Sequence, residues 1–240
     1  DNSPYDCRSY ASSTTYVTGM AVVKTCETLR KKICERGAEY LGCSPDDVEF
    51  DGEKVVNLKT KEEITRKEIG NKVMCSSNAP LSATEAFSSP VSPPPFMVGI
   101  AEVEIDKETG VVEPIDYAAV VDCGTVVNPN LARVQTEGGI AQGIGMALYE
   151  DIIYSEKGKN YSNSFMQYKI PSRLDVGEIR VEFESSYEPT GPFGAKSIGE
   201  IVINTPSPAI SNAVQNAVGV IVRELPITAE KVYKGMAEKE

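Results

Sequence analysis

The chain has 240 residues, 41% hydrophobic and 25% charged, a balance that argues against global disorder and allows a sizeable buried core. Acidic residues outnumber basic ones 35 to 24, and the net charge of −11 speaks against a sequence-independent grip on nucleic acid or an anionic membrane surface. Histidine is absent, which excludes Ser-His-Asp and Cys-His triads, HExxH helices and His-bearing zinc sites; chemistry falls to carboxylates, hydroxyls, amines, thiols or a bound group.

Residues 1–12 read as an irregular opening segment. Over 14–41 apolar residues recur at helical spacing (Val17, Met20, Ala21, Val23, Leu29, Ile33, Ala38, Leu41), and Gly42 is a natural stop. Asp51-Gly52 between apolar runs predicts a hairpin over 48–56. Thr65 and Glu68 have capping-box spacing and open a short helix. Residues 76–95 are rich in Ser, Pro and Ala, and Pro93-Pro94-Pro95 cannot lie inside a helix or a central strand. A stretch of this length is a linker or a functional cover.

Beyond it, 97–105 and 111–122 predict a second hairpin around a turn at 106–110. Asn128-Pro129 reads as an N-cap with proline at the first helical position, and the helix runs to about Tyr149. Gly138, Gly139, Gly143 and Gly145 weaken an exposed helix, and make sense if it packs closely on another backbone or a ligand. A strand follows over 179–185, then a Gly/Pro-rich loop, an apolar helix over 206–224 and a charged final helix from Thr228. No apolar run approaches the ~18 residues of a membrane span, and no secretory leader is read at the start. The expected fold is α+β in two lobes, 1–95 and 96–240, each of antiparallel strands with packed helices.

The six cysteines, Cys7, Cys26, Cys34, Cys43, Cys75 and Cys123, include no C-x-x-C pair, so neither a zinc ribbon nor a local iron–sulfur loop is supported. Buried free thiols rather than disulfides are expected, with a cytoplasmic location.

Three places combine polar groups with glycine or a helix start. The hydroxyl-rich run Tyr10-Ala11-Ser12-Ser13-Thr14-Thr15 directly precedes the long helix, where backbone N–H groups suit a phosphate; the plain alternative is an N-cap. The Gly-rich run 135–145 lacks the tight strand–turn–helix context of a dinucleotide fingerprint, but Gln135 can present its amide to a heterocycle unless it is simply a helix surface residue. In 191–200, Glu200 stands between a glycine and the apolar Ile201-Val202-Ile203; a buried carboxylate there would suit a general base, against a surface glutamate in a turn.

Taken together, these places resemble the xanthine dehydrogenase/aldehyde oxidase family of molybdenum hydroxylases, in the second half of their molybdopterin-binding region. The resemblance rests on Pro4-Tyr5-Asp6, Tyr10 to Tyr16 and Gly19; on Val121-Asp122-Cys123-Gly124, Asn128-Pro129, Gln135, Glu137-Gly138-Gly139 and Gln142-Gly143-Ile144-Gly145; on Phe165, Tyr168, Pro171 and Asp175; and on Lys196-Ser197-Ile198-Gly199-Glu200. It implies that Glu200 is the catalytic base of a water-dependent hydroxylation at a molybdenum centre bearing a sulfido or selenido ligand, with no side chain on the metal. It further implies that Ala11, Ser12, Ser13, Thr14, Gln135, Ser197 and Gly199 bind the molybdenum–molybdopterin cofactor and that Tyr10 borders the substrate. Ser13 stands where many bacterial relatives have arginine, which bears on a contact to the cofactor's phosphate or nucleotide end, expected as a cytosine dinucleotide.

The resemblance begins midway through the family's molybdenum region. It therefore implies a split subunit or a fragment, inactive alone, partnered by the N-terminal half of the molybdopterin-binding region and by iron–sulfur and FAD domains or subunits. The small-molecule substrate is expected to be an N-heterocycle, a purine or a nicotinate-like ring, on the Glu188-Pro189-Thr190-Gly191-Pro192-Phe193-Gly194 lead-in. The alternatives are an aldehyde or carbon monoxide, or a non-catalytic binding or assembly module of the same fold. No nucleic acid and no membrane partner are expected.

Overall fold

The computed structural model describes residues 5, 6, 8–76 and 80–238. Pro4 and Cys7, on which parts of the sequence reading fall, lie outside the described residues, as do 77–79. The chain divides into two compact units, one joining Asp1–Thr15 to Val91–Glu240 and the other comprising Tyr16–Pro90.

In the smaller unit, the helical periodicity yields α1 (Gly19–Leu41), led in by a π-helical turn over Thr14–Thr18 and closed by Gly42 in the left-handed conformation. The Asp51-Gly52 turn joins β1 (Val48–Phe50) to β2 (Lys54–Asn57), and both lie in an antiparallel sheet with β3 (Glu63–Thr65). β3 was not foreseen, because one buried residue, Ile64, between exposed Glu63 and Thr65 gives no readable alternation. The capping box forms as read: Thr65 accepts from the Glu68 N–H while Glu68 accepts from that of Thr65, opening α2 (Arg66–Met74). Ile33, Val55, Ile64, Ile69 and Val73 make the core. Residues 82–87 of the Ser/Pro/Ala-rich stretch run along α1 and its lead-in: Lys32 donates to the Ser82 carbonyl, Thr28 to Glu85, and Phe87 meets Tyr16 edge-on.

In the larger unit, β4 (Phe96–Ile105) and β5 (Val112–Asp122) form the expected antiparallel hairpin, with a bulge at Glu102/Val103. β6 (Glu178–Phe183) pairs with β5 in parallel, which corrects the expectation of purely antiparallel strands. The reason is the long connection through α3 (Pro129–Leu148), which returns the chain to the same end of the sheet. α4 (Ile201–Asn204) was not foreseen. α5 (Pro206–Val218) stops short of Glu224, because Gly219 adopts a left-handed φ of 71° and its N–H caps Gln215. α6 (Ala229–Ala237) starts at Thr228 as read.

Tyr117, Ile140, Ile144, Ile210, Val214, Ile227 and Val232 fill the core between sheet and helices. The buried Tyr117 hydroxyl is satisfied by donating to Thr205 at 2.8 Å. The glycines of α3 behave as expected at two positions: a Cβ at Gly139 would strike Val202 and one at Gly143 would strike Pro206, so their absence lets α4 and α5 approach closely. The other face of the sheet carries Phe96, Val98, Ile100 and Val120, all exposed.

Among the described residues no helix is long and apolar enough to cross a membrane. The described cysteines are free, but Cys123 alone of them is buried; Cys26 on α1 and Cys75 at the end of α2 are exposed, correcting the expectation that the thiols are interior.

Candidate cofactor and catalytic site

The segment bearing Glu200 is fixed to the end of β5 before it reaches the glutamate. Thr125 N–H donates to the Gly194 carbonyl and Lys196 N–H to that of Cys123, both at 2.8 Å. The Lys196 side chain, only 7% exposed, folds back to Asp122 Oδ2 at 2.7 Å and the Pro94 carbonyl at 3.2 Å, with its ammonium 5.4 Å from the centre of the Phe96 ring. Asp122 Oδ1 accepts from the Gly124 N–H at 2.9 Å and the Ser186 hydroxyl at 2.7 Å. Burial works against the Asp122 charge, but Lys196 and these two donors outweigh it and hold the carboxyl below its ordinary range.

Four residues on, Glu200 leads into α4, whose Val202 is wholly buried against α3. Glu200 itself is exposed. Of the two readings the sequence leaves open, a buried carboxylate and a surface glutamate in a turn, the structure shows the exposed one: the apolar run after it turns into α4 and buries Val202, leaving the glutamate at the lip of a cavity.

The opening segment supplies the opposite wall. Ser13 N–H donates to the Tyr10 carbonyl at 3.0 Å, closing a turn whose central residues, Ala11 (φ 48°) and Ser12 (φ 56°), are both left-handed. Such backbone costs about 1–3 kcal/mol per non-glycine residue and persists where surrounding contacts hold it. Here the Ser12 hydroxyl donates to Glu200 Oε2 at 2.9 Å. Ser12 also lies directly over Gly199, where a Cβ would come within 3.0 Å of the hydroxyl oxygen.

A cavity of about 370 Å³ results, lined by Ser9, Ala11, Ser12, Thr14, Thr15, Gln135, Ile198, Gly199 and Glu200. A second, of about 340 Å³, shares Thr15, Gln135 and Ile198 with it and adds apolar walls from Val127, Leu131 and Ala195. Gln135 reaches in from α3, its amide nitrogen 3.5 Å from the Gly199 carbonyl. Six of the residues singled out in the sequence thus converge: Ala11, Ser12, Thr14, Gln135, Gly199 and Glu200. Tyr10, 73% exposed, Ser13 and Ser197 do not line this cavity. Ser9, Thr15 and Ile198 do and were not singled out, although Thr15 stands in the hydroxyl-rich run and Ile198 inside the glutamate motif.

The lining is chemically distinctive: four hydroxyls and one amide as neutral donors and acceptors, and Glu200 as the sole charge. This set fits the hydrogen-bonding edges of a pterin and the oxygens of a phosphate. Among the described residues no three His, Cys, Asp or Glu side chains are placed to share a metal ion.

The comparisons with known proteins agree with this chemistry. A family model described as "Molybdopterin cofactor-binding domain" matches residues 1–177. The chain belongs to the molybdenum hydroxylases, as a molybdopterin cofactor-binding domain. Among relatives of this molybdenum hydroxylase domain, the probable hypoxanthine oxidase XdhD of Escherichia coli K12 is 35% identical over 241 residues, covering 98% of this chain and 25% of the relative. The gamma subunit of the 6-hydroxypseudooxynicotine dehydrogenase complex of Paenarthrobacter nicotinovorans is 30% identical, over 94% of this chain and 30% of its own length. Among solved structures, carbon monoxide dehydrogenase of Oligotropha carboxidovorans superposes with a TM-score of 0.86 at 25% identity, over 99% of this chain and 31% of that one. The chain thus spans about a quarter to a third of the length of these proteins. The family match ends before Ser197 and Glu200, whereas the pairwise matches cover nearly all of the molybdenum hydroxylase domain.

Proposed function

We propose that this chain is the C-terminal part of the molybdenum-cofactor subunit of a hydroxylase/dehydrogenase that oxidises an N-heterocycle with water as the oxygen source, and that Glu200 is its general base. The observation that carries the reading is the meeting of Ser12, Gln135, Gly199 and Glu200 at one cavity of hydroxyl and amide groups. The bound cofactor supplies the two-electron oxidation and the centre at which oxygen is transferred.

The chain's own residues hold, orient and move a proton. Thr14 and the 11–13 turn face the pterin and its phosphate with hydroxyls and backbone N–H groups. Gln135 presents its amide to the pterin, and Ser197 and Gly199 approach it beside Glu200. The missing Cβ of Gly199 lets Ser12 close over this segment. A glutamate at the rim, with one oxygen held by Ser12, keeps the other free to take a proton from the attacking water-derived oxygen. Tyr10 stands beside the substrate. Ser13 in place of arginine leaves the nucleotide end, proposed as cytosine dinucleotide, to neutral donors.

A purine or nicotinate-like ring is the proposed substrate, supported by the name of the hypoxanthine oxidase relative. Carbon monoxide or an aldehyde is the second reading, favoured by the structural likeness to carbon monoxide dehydrogenase. Because relatives are three to four times longer, we assign the N-terminal half of the molybdopterin-binding region, and iron–sulfur and FAD domains or subunits, as partners. The exposed face of Phe96, Val98, Ile100 and Val120 supports a covering partner. Free thiols support a cytoplasmic site of action.

The test is metal and pterin analysis of the complex purified with its partners, followed by a dye-reduction screen of purines, pyridine carboxylates, aldehydes and carbon monoxide. Molybdenum, pterin and turnover of a heterocycle are expected. Turnover of only an aldehyde or carbon monoxide supports the second reading, and absence of metal and pterin makes the chain a non-catalytic module.

A further inference from the structure

We propose that Lys196, through its buried ion pair with Asp122, is a positioning residue that sets where Glu200 stands; the inference rests on Glu200 being the base. Lysine is among the residues least often fully buried, and removing its charge from water is costly unless partners replace the lost hydration. Here the replacement is complete and directional. The ammonium meets a carboxylate oxygen, a backbone carbonyl and an aromatic ring. An apolar side chain would fill the same space, but apolar packing is non-directional, and a hydrogen-bonded ion pair fixes a side chain in orientation as well as depth.

What this orientation fixes is the start of a short span. Lys196 is tied by its backbone to Cys123 and by its side chain to Asp122, the last residue of β5. The far end of the span is pinned by Val202 in the core against Gly139. Glu200 lies between, on a stretch that is itself half-buried to exposed. With both ends anchored to rigid elements, the carboxylate is held within reach of Ser12; with the first anchor released, the span gains freedom and Glu200 leaves its working position. Misplacement of a catalytic group by about 1 Å lowers turnover by as much as ~10²-fold without touching the chemistry itself.

The experiment uses the complete enzyme with its partner subunits and compares Lys196→Met, the double variant Lys196→Met/Asp122→Asn, and Glu200→Gln. The single variant leaves Asp122 buried and unpaired, which lowers stability by itself. The double variant removes that lone charge, so it separates stability from positioning. The expected result is a double variant with native melting temperature and molybdenum content, KM within about threefold of native, and kcat at least tenfold lower. A double variant that recovers native kcat together with stability overturns the proposal. So does one that fails to fold or to hold molybdenum, because the pair would then serve the fold or the cofactor. Glu200→Gln is the separate control: if it stays active, the assignment of the base has failed, whereas a dead Glu200→Gln beside a fully active double variant refutes only the role of Lys196.

Discussion

The Ser12 hydroxyl donates to Glu200 Oε2 at 2.9 Å across 188 positions of sequence, from a left-handed turn that also packs over Gly199. Hydrogen bonds to charged groups contribute about 1.5–3 kcal/mol, towards the lower end where the groups are exposed as here. Ser12→Ala is therefore expected to lower kcat roughly tenfold with little change in melting temperature. Steady-state kinetics and a thermal melt on one preparation check this, and unchanged turnover counts against an orienting role for Ser12.

Gly199→Ala tests the same contact from the other side. The added methyl would sit 3.0 Å from the Ser12 hydroxyl oxygen and 3.4 Å from its Cβ, so Ser12 must shift and its bond to Glu200 weakens. The loss of turnover is expected to overlap with that of Ser12→Ala rather than add to it, since both remove one interaction. A double-mutant cycle measures the overlap; strictly additive losses contradict the geometry.

Gly139→Ala should act on stability. Its methyl group meets Val202 in a packed core, and overpacking of this kind costs about 1–3 kcal/mol. A lowered melting temperature is expected, whereas Gly138→Ala, where a Cβ meets nothing within 4 Å, should leave stability unchanged or raise it slightly.

The Asp122–Lys196 pair predicts a pH dependence with a definite sign. The folded carboxyl titrates below its ordinary value of 3.8, so its contribution to stability is full above about pH 4 and is lost as the pH falls through the lower folded value. The stability gap between the native protein and Asp122→Asn should be widest near neutrality and shrink below about pH 4. A gap that stays constant down to pH 3 contradicts a charged, paired Asp122.

Much of this was legible in the residues. The capping box at Thr65 and Glu68, the Asp51-Gly52 turn and the Asn128-Pro129 start are local chemistry, and each produced the element it signals. The strand pairing of β6 was not legible, because parallel or antiparallel alignment depends on the crossover through α3 rather than on the alternation within 178–183. The end of α5 turned on a left-handed Gly219 within an apolar run that continues past it. At the site, six of the residues that the motifs single out line one cavity, whereas the exposure of Glu200 stays open in the sequence, because its apolar neighbours do not reveal that α4 carries them inward and leaves the carboxylate out. The Lys196–Asp122 pair gave no signal in spacing, since 74 positions separate its members.

The central claim is that Glu200 moves the proton. In the assembled enzyme, Glu200→Gln is nearly isosteric and should leave the molybdenum cofactor bound. Turnover should fall by at least the ~10²–10⁴-fold attributed to a general base, with a much smaller change in substrate affinity. Metal content and turnover are read on the same preparation. Native molybdenum content with turnover per molybdenum reduced at least a hundredfold is the predicted result; turnover per molybdenum that survives the substitution contradicts it.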